Sequence, residues 1–225
     1  MKNYTLEEAK GILLKDFNID LHEHIAIFQS VINHVTVSIF DNRDHIVRAS
    51  DTITRLHILL YGTAKISLTH EDGGSSIIYF LKPNEMIGEL TLLGIEQNPK
   101  DVIAIGKCIC LSIPMDIAEI TLLHDPQFLL AVSRYIGTKL LDRTWFSVKQ
   151  QHYSLKPRLA AHILLCACDG LYNEKHTQTA EYLAVSYRHL LHTFRELREE
   201  GLITKEKKGY SFNRESLEQL ASQLD

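Results

Sequence analysis

Long apolar runs are missing from these 225 residues; none approaches the roughly 20 that a helix needs to cross a bilayer. Also missing are C-x-x-C, H-E-x-x-H, G-x-S-x-G and a phosphate-binding P-loop. No nucleophile, base and oxyanion donor can therefore be named together, and neither catalysis nor a bound metal is expected. Low-complexity segments, internal repeats and long disordered linkers are absent as well. Cysteine is scarce, at four, and the thiols read as buried groups of a cytosolic core. Positive charge is not in excess: 24 Lys/Arg against 28 Asp/Glu leave a formal charge of −4. That balance removes the simplest sign of a nucleic-acid partner without excluding one, because affinity comes from local cations near phosphates.

What is present, 45% apolar and 23% charged residues, is the make-up of a soluble globular chain of one or two domains. The start, MKNYTLEEAKGILLKDF, predicts a helix with a capping box, Thr5 and Glu8, and lacks the apolar core of a signal peptide. A cytoplasmic location is expected. From about Val35 to Ile113, the β-rich runs VTVSIF, IVRA, LHILLYG, TAKISLT, SSIIYFL and CICLSI alternate with turn clusters DNRD, Gly62, EDGG, KPNE and EQNPK. Short strands at this spacing predict an antiparallel roll that encloses a pocket. Gly62 is expected where a bend or a close backbone approach excludes a side chain.

From Asp125 the period becomes helical, with Asp125 as cap and Pro126 at the first helical position. Phe128, Val132, Ile136 and Leu140 are read as one apolar stripe and assigned to a dimer helix; Leu130, Leu141, Trp145 and Val148 fall on another side. A helix apolar on two sides needs two covers. The expected covers are the roll and the same helix of a second subunit in a C2 dimer; the alternative is burial within one chain. A further helix, RLAAHILLCACD, follows Pro157. The expected segments are residues 1–124 for the N-terminal helix and roll, 125–151 for the dimer helix and 152–225 for the C-terminal domain.

That last segment contains TQTAEYLAVSYRHLLHTFREL, which predicts two helices, Thr177–Ala184 and Tyr187–Leu197, around a turn at Val185. Ser186 is placed to cap the second helix, and Ala180 suits a close helix crossing. Tyr182, Leu183, Val185, Leu190, Leu191 and Phe194 are read as the apolar seam. Arg188, His189, His192 and Arg195 then face outward, the pattern of a helix-turn-helix whose second helix enters a major groove. A plain helical hairpin with a solvated face is the alternative. EEGLITKEKKGYSFN behind it reads as a helix end at Gly201 and two short strands around a basic turn, which is a wing. The segment from Gln151 is formally neutral, yet its cations cluster on the second helix and at Lys205, Lys207 and Lys208. Candidate DNA contacts are Thr177, Ser186, Tyr187, Arg188, His189, His192, Arg195 and those three lysines.

The order of roll, long helix and winged helix-turn-helix resembles the Crp/Fnr family of bacterial transcription regulators, over roughly Val35 to Phe212. Met86-Ile87-Gly88-Glu89-Leu90-Thr91-Leu92 resembles the family's pocket motif F-x-G-E-x-x-L. Leu56 to Gly62 resembles its L-Y-x-I-x-x-G strand, and Cys110 to Pro114 its closing strand. Residues 171–210 resemble the YeiL-like branch. The resemblance implies an α+β chain: an antiparallel β-roll of the cyclic-nucleotide-binding, jelly-roll type, a long dimerisation helix and a C-terminal winged helix-turn-helix. It implies a dimeric regulator or activator that binds promoter DNA, with RNA polymerase as a further partner, and a pocket near Gly88, Glu89, Leu90 and Lys100.

The departures limit what carries over. Cyclic-AMP-binding members follow Gly-Glu with an Arg-Ser pair for the phosphate, whereas this chain has Asn98-Pro99-Lys100-Asp101. Lys100 lacks the fork of Arg, and Asp101 would oppose a phosphate. No cofactor is expected, and cyclic AMP is disfavoured. Glu89 reads first as a turn cap and second as a ligand contact. Fnr-type members bind an iron–sulfur cluster through cysteines near the N-terminus, but this chain has none before Cys108; Cys108 and Cys110 share a strand face and are a candidate redox pair. Cys166 and Cys168, placed on a helix, diverge. The family's recognition helix often begins Arg-Glu-Thr, where this chain has Tyr187-Arg188-His189, so its operator does not transfer. The expected mechanism runs from the Gly88–Asp101 segment through the long helix to a hinge near His152–Leu155. Two alternatives stand beside it: a scaffold whose helix-turn-helix contacts protein, and a constitutive regulator with no ligand.

Overall fold

A computed structural model describes residues 2–70 and 74–224. They fall into two compact units, Met1–Ser67 with Tyr79–Lys139 and Leu68–Ile78 with Leu140–Asp225. In chain order the N-terminal elements are β1 (Lys2–Thr5), α1 (Leu6–Phe17), α2 (Leu21–Ile25), β2 (Thr36–Phe40), β3 (His45–Val47), β4 (Arg55–Thr69), β5 (Ser75–Leu81), β6 (Met86–Ile87), α3 (Glu89–Leu92), β7 (Asp101–Pro114) and α4 (Met115–Thr121). The long helix α5 (Pro126–His152) leads to α6 (Leu155–Cys166), β8 (Leu171–Tyr172), α7 (His176–Tyr182), α8 (Tyr187–Glu199), β9 (Ile203–Glu206), β10 (Gly209–Phe212) and α9 (Arg214–Ala221).

The roll is an antiparallel sheet in the order β1-β2-β7-β4-β5, with β3 on β7 and β6 on β4. Alternation along its strands feeds two cores. Ile109, Leu111 and Ile113 of β7, with Leu56, Ile58 and Leu60 of β4, pack with Phe28, Phe128 and Val132. Cys108 and Cys110 of β7, with Leu59 and Ala64 of β4, pack with Phe40 and Leu81 on the other side. The cysteine pair thus shares a face as expected, but both thiols are buried. Cys108 Sγ donates to the Thr63 carbonyl at 3.1 Å, and burial pushes its thiol up to about 11 and that of Cys110 well above the ordinary range. Because the thiolate is the reactive form, burial at these two positions disfavours ready oxidation of the pair.

Two expected strands, LHILLYG and TAKISLT, are one continuous β4 with an irregular register on β7 around Gly62. Gly62 has φ +89°, and a Cβ there would stand 2.2 Å from the Lys107 carbonyl oxygen, the close approach its position predicted. Thr5 and Glu8 form the expected capping box. β1 was not legible, since it exists by pairing Lys2–Thr5 with β2 rather than by any local pattern. The turn expected at EDGG lies, from Glu71 to Gly73, outside the described residues.

Asp125 caps α5, its Oδ1 accepting from the Gln127 N–H at 2.9 Å. The apolar stripe read along the dimer helix divides between the roll, one of its two expected covers, and solvent. Phe128 and Val132 are buried in the roll's own core and are closed to a partner chain, Ile136 is partly buried there, and Leu140 is 66% exposed. The reason is helical drift: four-residue steps from Phe128 to Leu140 wind about 120° around the helix. The stripe that stays on the roll is Phe128, Val132, Tyr135 and Lys139. Cys168 also differs from expectation, lying beyond the end of α6 and pairing with Leu171 in a bridge.

In the second unit, β8, β10 and β9 form a three-stranded antiparallel sheet. Tyr172 OH and Thr179 Oγ1, both buried, lie 2.6 Å apart and tie that sheet to α7. Phe194 of α8 stacks on Tyr210 of β10 at 4.9 Å and on His176 of α7 at 4.6 Å, so the wing is seated against both helices.

Candidate nucleic-acid interface and ligand pocket

α7 and α8 are joined by a turn in which Ala184 has φ +52°. Ser186 Oγ accepts from the His189 N–H at 3.2 Å, capping α8 as its type and position predict. α8 buries Leu190, Thr193, Phe194 and Leu197, a spacing that holds one helical face. Leu191, placed in the seam by sequence, is instead 39% exposed, and Thr193 takes the buried position. One residue lies 100° round the helix from that face, and Thr193 is admitted because its hydroxyl bonds the His189 carbonyl at 3.2 Å.

Thr177, Tyr187, Arg188, His189, His192 and Arg195 are exposed, as is Ser186. They are not equally available. Arg195 pairs with Glu199 at 2.7 Å, and His192 lies 3.7 Å from Glu196. Arg188, Lys207 and Lys208 make no ion pair among the described residues, and all three stand in solvent. The expected wing is present as β9 and β10 around Lys207–Lys208, with Lys205 Nζ 4.4 Å above the Tyr210 ring.

Arg158 carries a role that the sequence pattern did not assign. Its Nε donates to the carbonyls of Tyr153 (3.1 Å) and Ser154 (3.3 Å), between α5 and α6. Its Nη1 donates to the Leu183 carbonyl at 2.8 Å, in the helix-turn-helix turn, and to Gln150 Oε1 near the end of α5. One buried guanidinium thus joins the expected hinge to the turn. The available signal was a cation within LKPRLAAHILLC, where Leu155, Leu159, His162 and Ile163 are buried as it is.

At the pocket motif, Gly88 has φ +93° and lets α3 begin directly after β6. A Cβ there would lie 3.3 Å from the Arg55 carbonyl oxygen. Glu89 is buried, and its Oε1 accepts from Lys139 Nζ of α5 at 3.0 Å. The side chain that reads first as a turn cap and second as a ligand contact is thus engaged in an ion pair within the chain. Leu90 is partly buried, and its carbonyl accepts from the N–H groups of Ile95 (2.8 Å) and Glu96 (3.1 Å). Lys100 is held by Glu96 four residues earlier, so its charge is met within the chain. Asp101 Oδ1 accepts from the Ala49 N–H at 2.9 Å. Among buried side-chain polar atoms of the described residues, Thr91 Oγ1 alone has no hydrogen-bond partner; the others, Glu89 included, are satisfied within the chain. A cyclic phosphate needs a donor cation and its ribose a free carboxylate, and the residues here do not fit that group. No group of three or more His, Cys, Asp or Glu side chains among the described residues is arranged for a metal. No helix of the described residues is long and apolar enough to cross a membrane.

Residues 38–122 match the family described as cyclic nucleotide-binding domain. The chain is 39% identical over 184 residues to the regulatory protein YeiL of Escherichia coli O157:H7, covering 81% of this chain and 84% of that one. Among solved structures, a putative transcriptional regulator of the Crp/Fnr family from Eubacterium rectale superposes with a TM-score of 0.68 at 16% identity, covering 91% of this chain and 98% of that chain. A CRP-family transcriptional regulator from Thermus thermophilus gives a TM-score of 0.60 at 19% identity, covering 82% of this chain and 96% of that chain. These relatives are regulators rather than enzymes. With the fold, the G-E pocket turn and the winged helix-turn-helix in place, the chain belongs to the Crp/Fnr family of transcription regulators, on its YeiL-like branch.

Proposed function

We propose that the protein is a cytoplasmic homodimeric regulator that reads promoter DNA with α8 and steadies itself on phosphates with the wing. The observation that carries this reading is Arg188: exposed in the first turn of a well-capped α8, without an ion pair among the described residues. A guanidinium so placed suits a bidentate contact to guanine, while Lys207 and Lys208 suit phosphate oxygens. The proposed segments are residues 1–124, 125–151 and 152–225, for sensing, dimerisation and DNA binding.

The dimer reading rests on α5. Leu130 (52% exposed), Leu141 (62%) and Val148 lie on its side opposite the roll-facing stripe. With Arg134, Gly137 and Thr144 they alternate in steps of four and three, the spacing of a coiled-coil seam. Leu141→Glu should convert dimers to monomers in sedimentation, and retention of the dimer would remove α5 as the interface.

Selection of bound sequences from a random duplex pool tests the DNA reading. The expected product is an inverted repeat with half-sites about 34 Å apart, one helical turn. Failure to enrich any sequence, with the parent protein folded and dimeric, would favour the scaffold reading instead.

A further inference from the structure

The carboxylate at the centre of the pocket motif is taken up by the chain itself. Glu89 and Lys139 have side chains only 5% and 13% exposed, with Nζ 3.0 Å from Oε1. The same Nζ donates to Tyr135 OH at 2.8 Å and lies 5.0 Å from the Tyr135 ring centre and 5.6 Å from that of Tyr79. One aromatic face within about 6 Å, that of Tyr79, one carboxylate and the hydroxyl edge of Tyr135 are the parts of an ammonium cage. The walls are fixed from outside. Tyr79 OH donates to Glu85 Oε1 at 2.8 Å, and the other Glu85 oxygen accepts from the Lys82 N–H at 2.6 Å. Tyr135 OH accepts from the Met86 N–H at 3.1 Å and donates to the Met86 carbonyl at 3.4 Å. Burial and the Glu89 and Glu85 carboxylates push its hydroxyl pKa up, so it stays a neutral group with a proton to donate. One ammonium therefore joins β5, α3 and α5.

We propose that this cage is a binding site for a primary alkylammonium and that Lys139 is its tethered occupant, acting as a built-in effector. In place of a diffusing ligand at Glu89, the long helix supplies its own cation and so fixes itself on the roll. Buried carboxylates demand a paired cation, and a tethered one needs no free concentration to bind. The regulatory half of this inference rests on the proposed DNA reading; the binding half does not.

Lys139→Ala removes Cγ to Nζ, the atoms that n-propylammonium restores. The variant should melt lower by on the order of 10 °C, since a buried carboxylate is left unpaired. Propylammonium chloride should recover most of that loss with an apparent Kd on the order of millimolar, the range open to so small a ligand. Sodium chloride at equal ionic strength and n-propanol should not, and adding Glu89→Gln should abolish the recovery. DNA affinity should fall at least about tenfold in Lys139→Ala and return with propylammonium. Lys139→Met, which keeps the apolar stem, covers the case in which the alanine variant does not fold; it too should lose DNA affinity while remaining folded. Recovery no greater than with sodium chloride would overturn the cage. Thermal recovery with DNA affinity unchanged in Lys139→Met and Lys139→Ala would overturn the effector role and leave the DNA reading standing. If the parent itself bound no DNA, thermal recovery would still support the cage while the DNA reading and the effector role fell.

Discussion

In the first unit two cations near the pocket motif are closed on the chain's own carboxylates: Lys139 on Glu89 and Lys100 on Glu96. In the second unit Arg188, Lys207 and Lys208 stand in water with no ion pair among the described residues. A paired cation fixes geometry and has little left to offer a ligand. An unpaired one keeps its donors for phosphates and base edges. A formal charge of −4 conceals the difference, because it sums both kinds.

The comparison depends first on the frame that holds α8 in place. Phe194→Ala opens the stack of His176, Phe194 and Tyr210 and should destabilise the second unit by about 3–5 kcal/mol in denaturant unfolding. A loss below about 1 kcal/mol would mean that the wing is not seated on α8.

In the roll the corresponding internal polar group is His57. Its Nδ1 lies 2.7 Å from Ser112 Oγ, which lies 2.7 Å from Ser38 Oγ, all buried. Burial, helped by Arg55, pushes the imidazole from 6.5 down to about 4. The unfolded chain therefore takes up this proton first as pH falls. The contribution of His57 is complete above pH 6.5 and is lost as pH drops toward 4, by about 3 kcal/mol in all. Unfolding free energy followed from pH 7 to 4 should fall accordingly in the parent, and His57→Leu should flatten that part of the profile.

Two smaller effects would sharpen the contrast on the exposed side. Arg188→Ala should weaken binding to the selected site by about 1–3 kcal/mol and relax its sequence preference. Lys207→Ala should weaken binding to all duplexes alike and reduce the salt slope by about 1. Equal behaviour of the two variants would erase the distinction between base reading and phosphate contact.

Much of this was legible in sequence where the physics is local. Thr5, Asp125 and Ser186 cap helices because a side-chain oxygen needs only its own next turn. Gly62 showed itself through the bend that only glycine fits. What was missed depends on distant partners. Glu89 read as a cap or a ligand contact because its real partner, Lys139, lies 50 residues away. Tyr135 and Lys139 escaped the stripe because a four-residue count drifts where a four-three count does not. Arg158 looked like an ordinary helix cation until the Leu183 carbonyl was placed beside it. Leu191 was assigned by its apolar side chain alone, although its angle on α8 faces it outward.

The most direct test of the account is a salt titration of duplex DNA binding by the parent protein. If Arg188 and the wing lysines meet phosphates and bases, log affinity falls linearly with log salt, at about 0.9 per phosphate neutralised, and Lys207→Ala shallows that line. Binding that is indifferent to salt, or a slope unchanged by removing these cations, would contradict it.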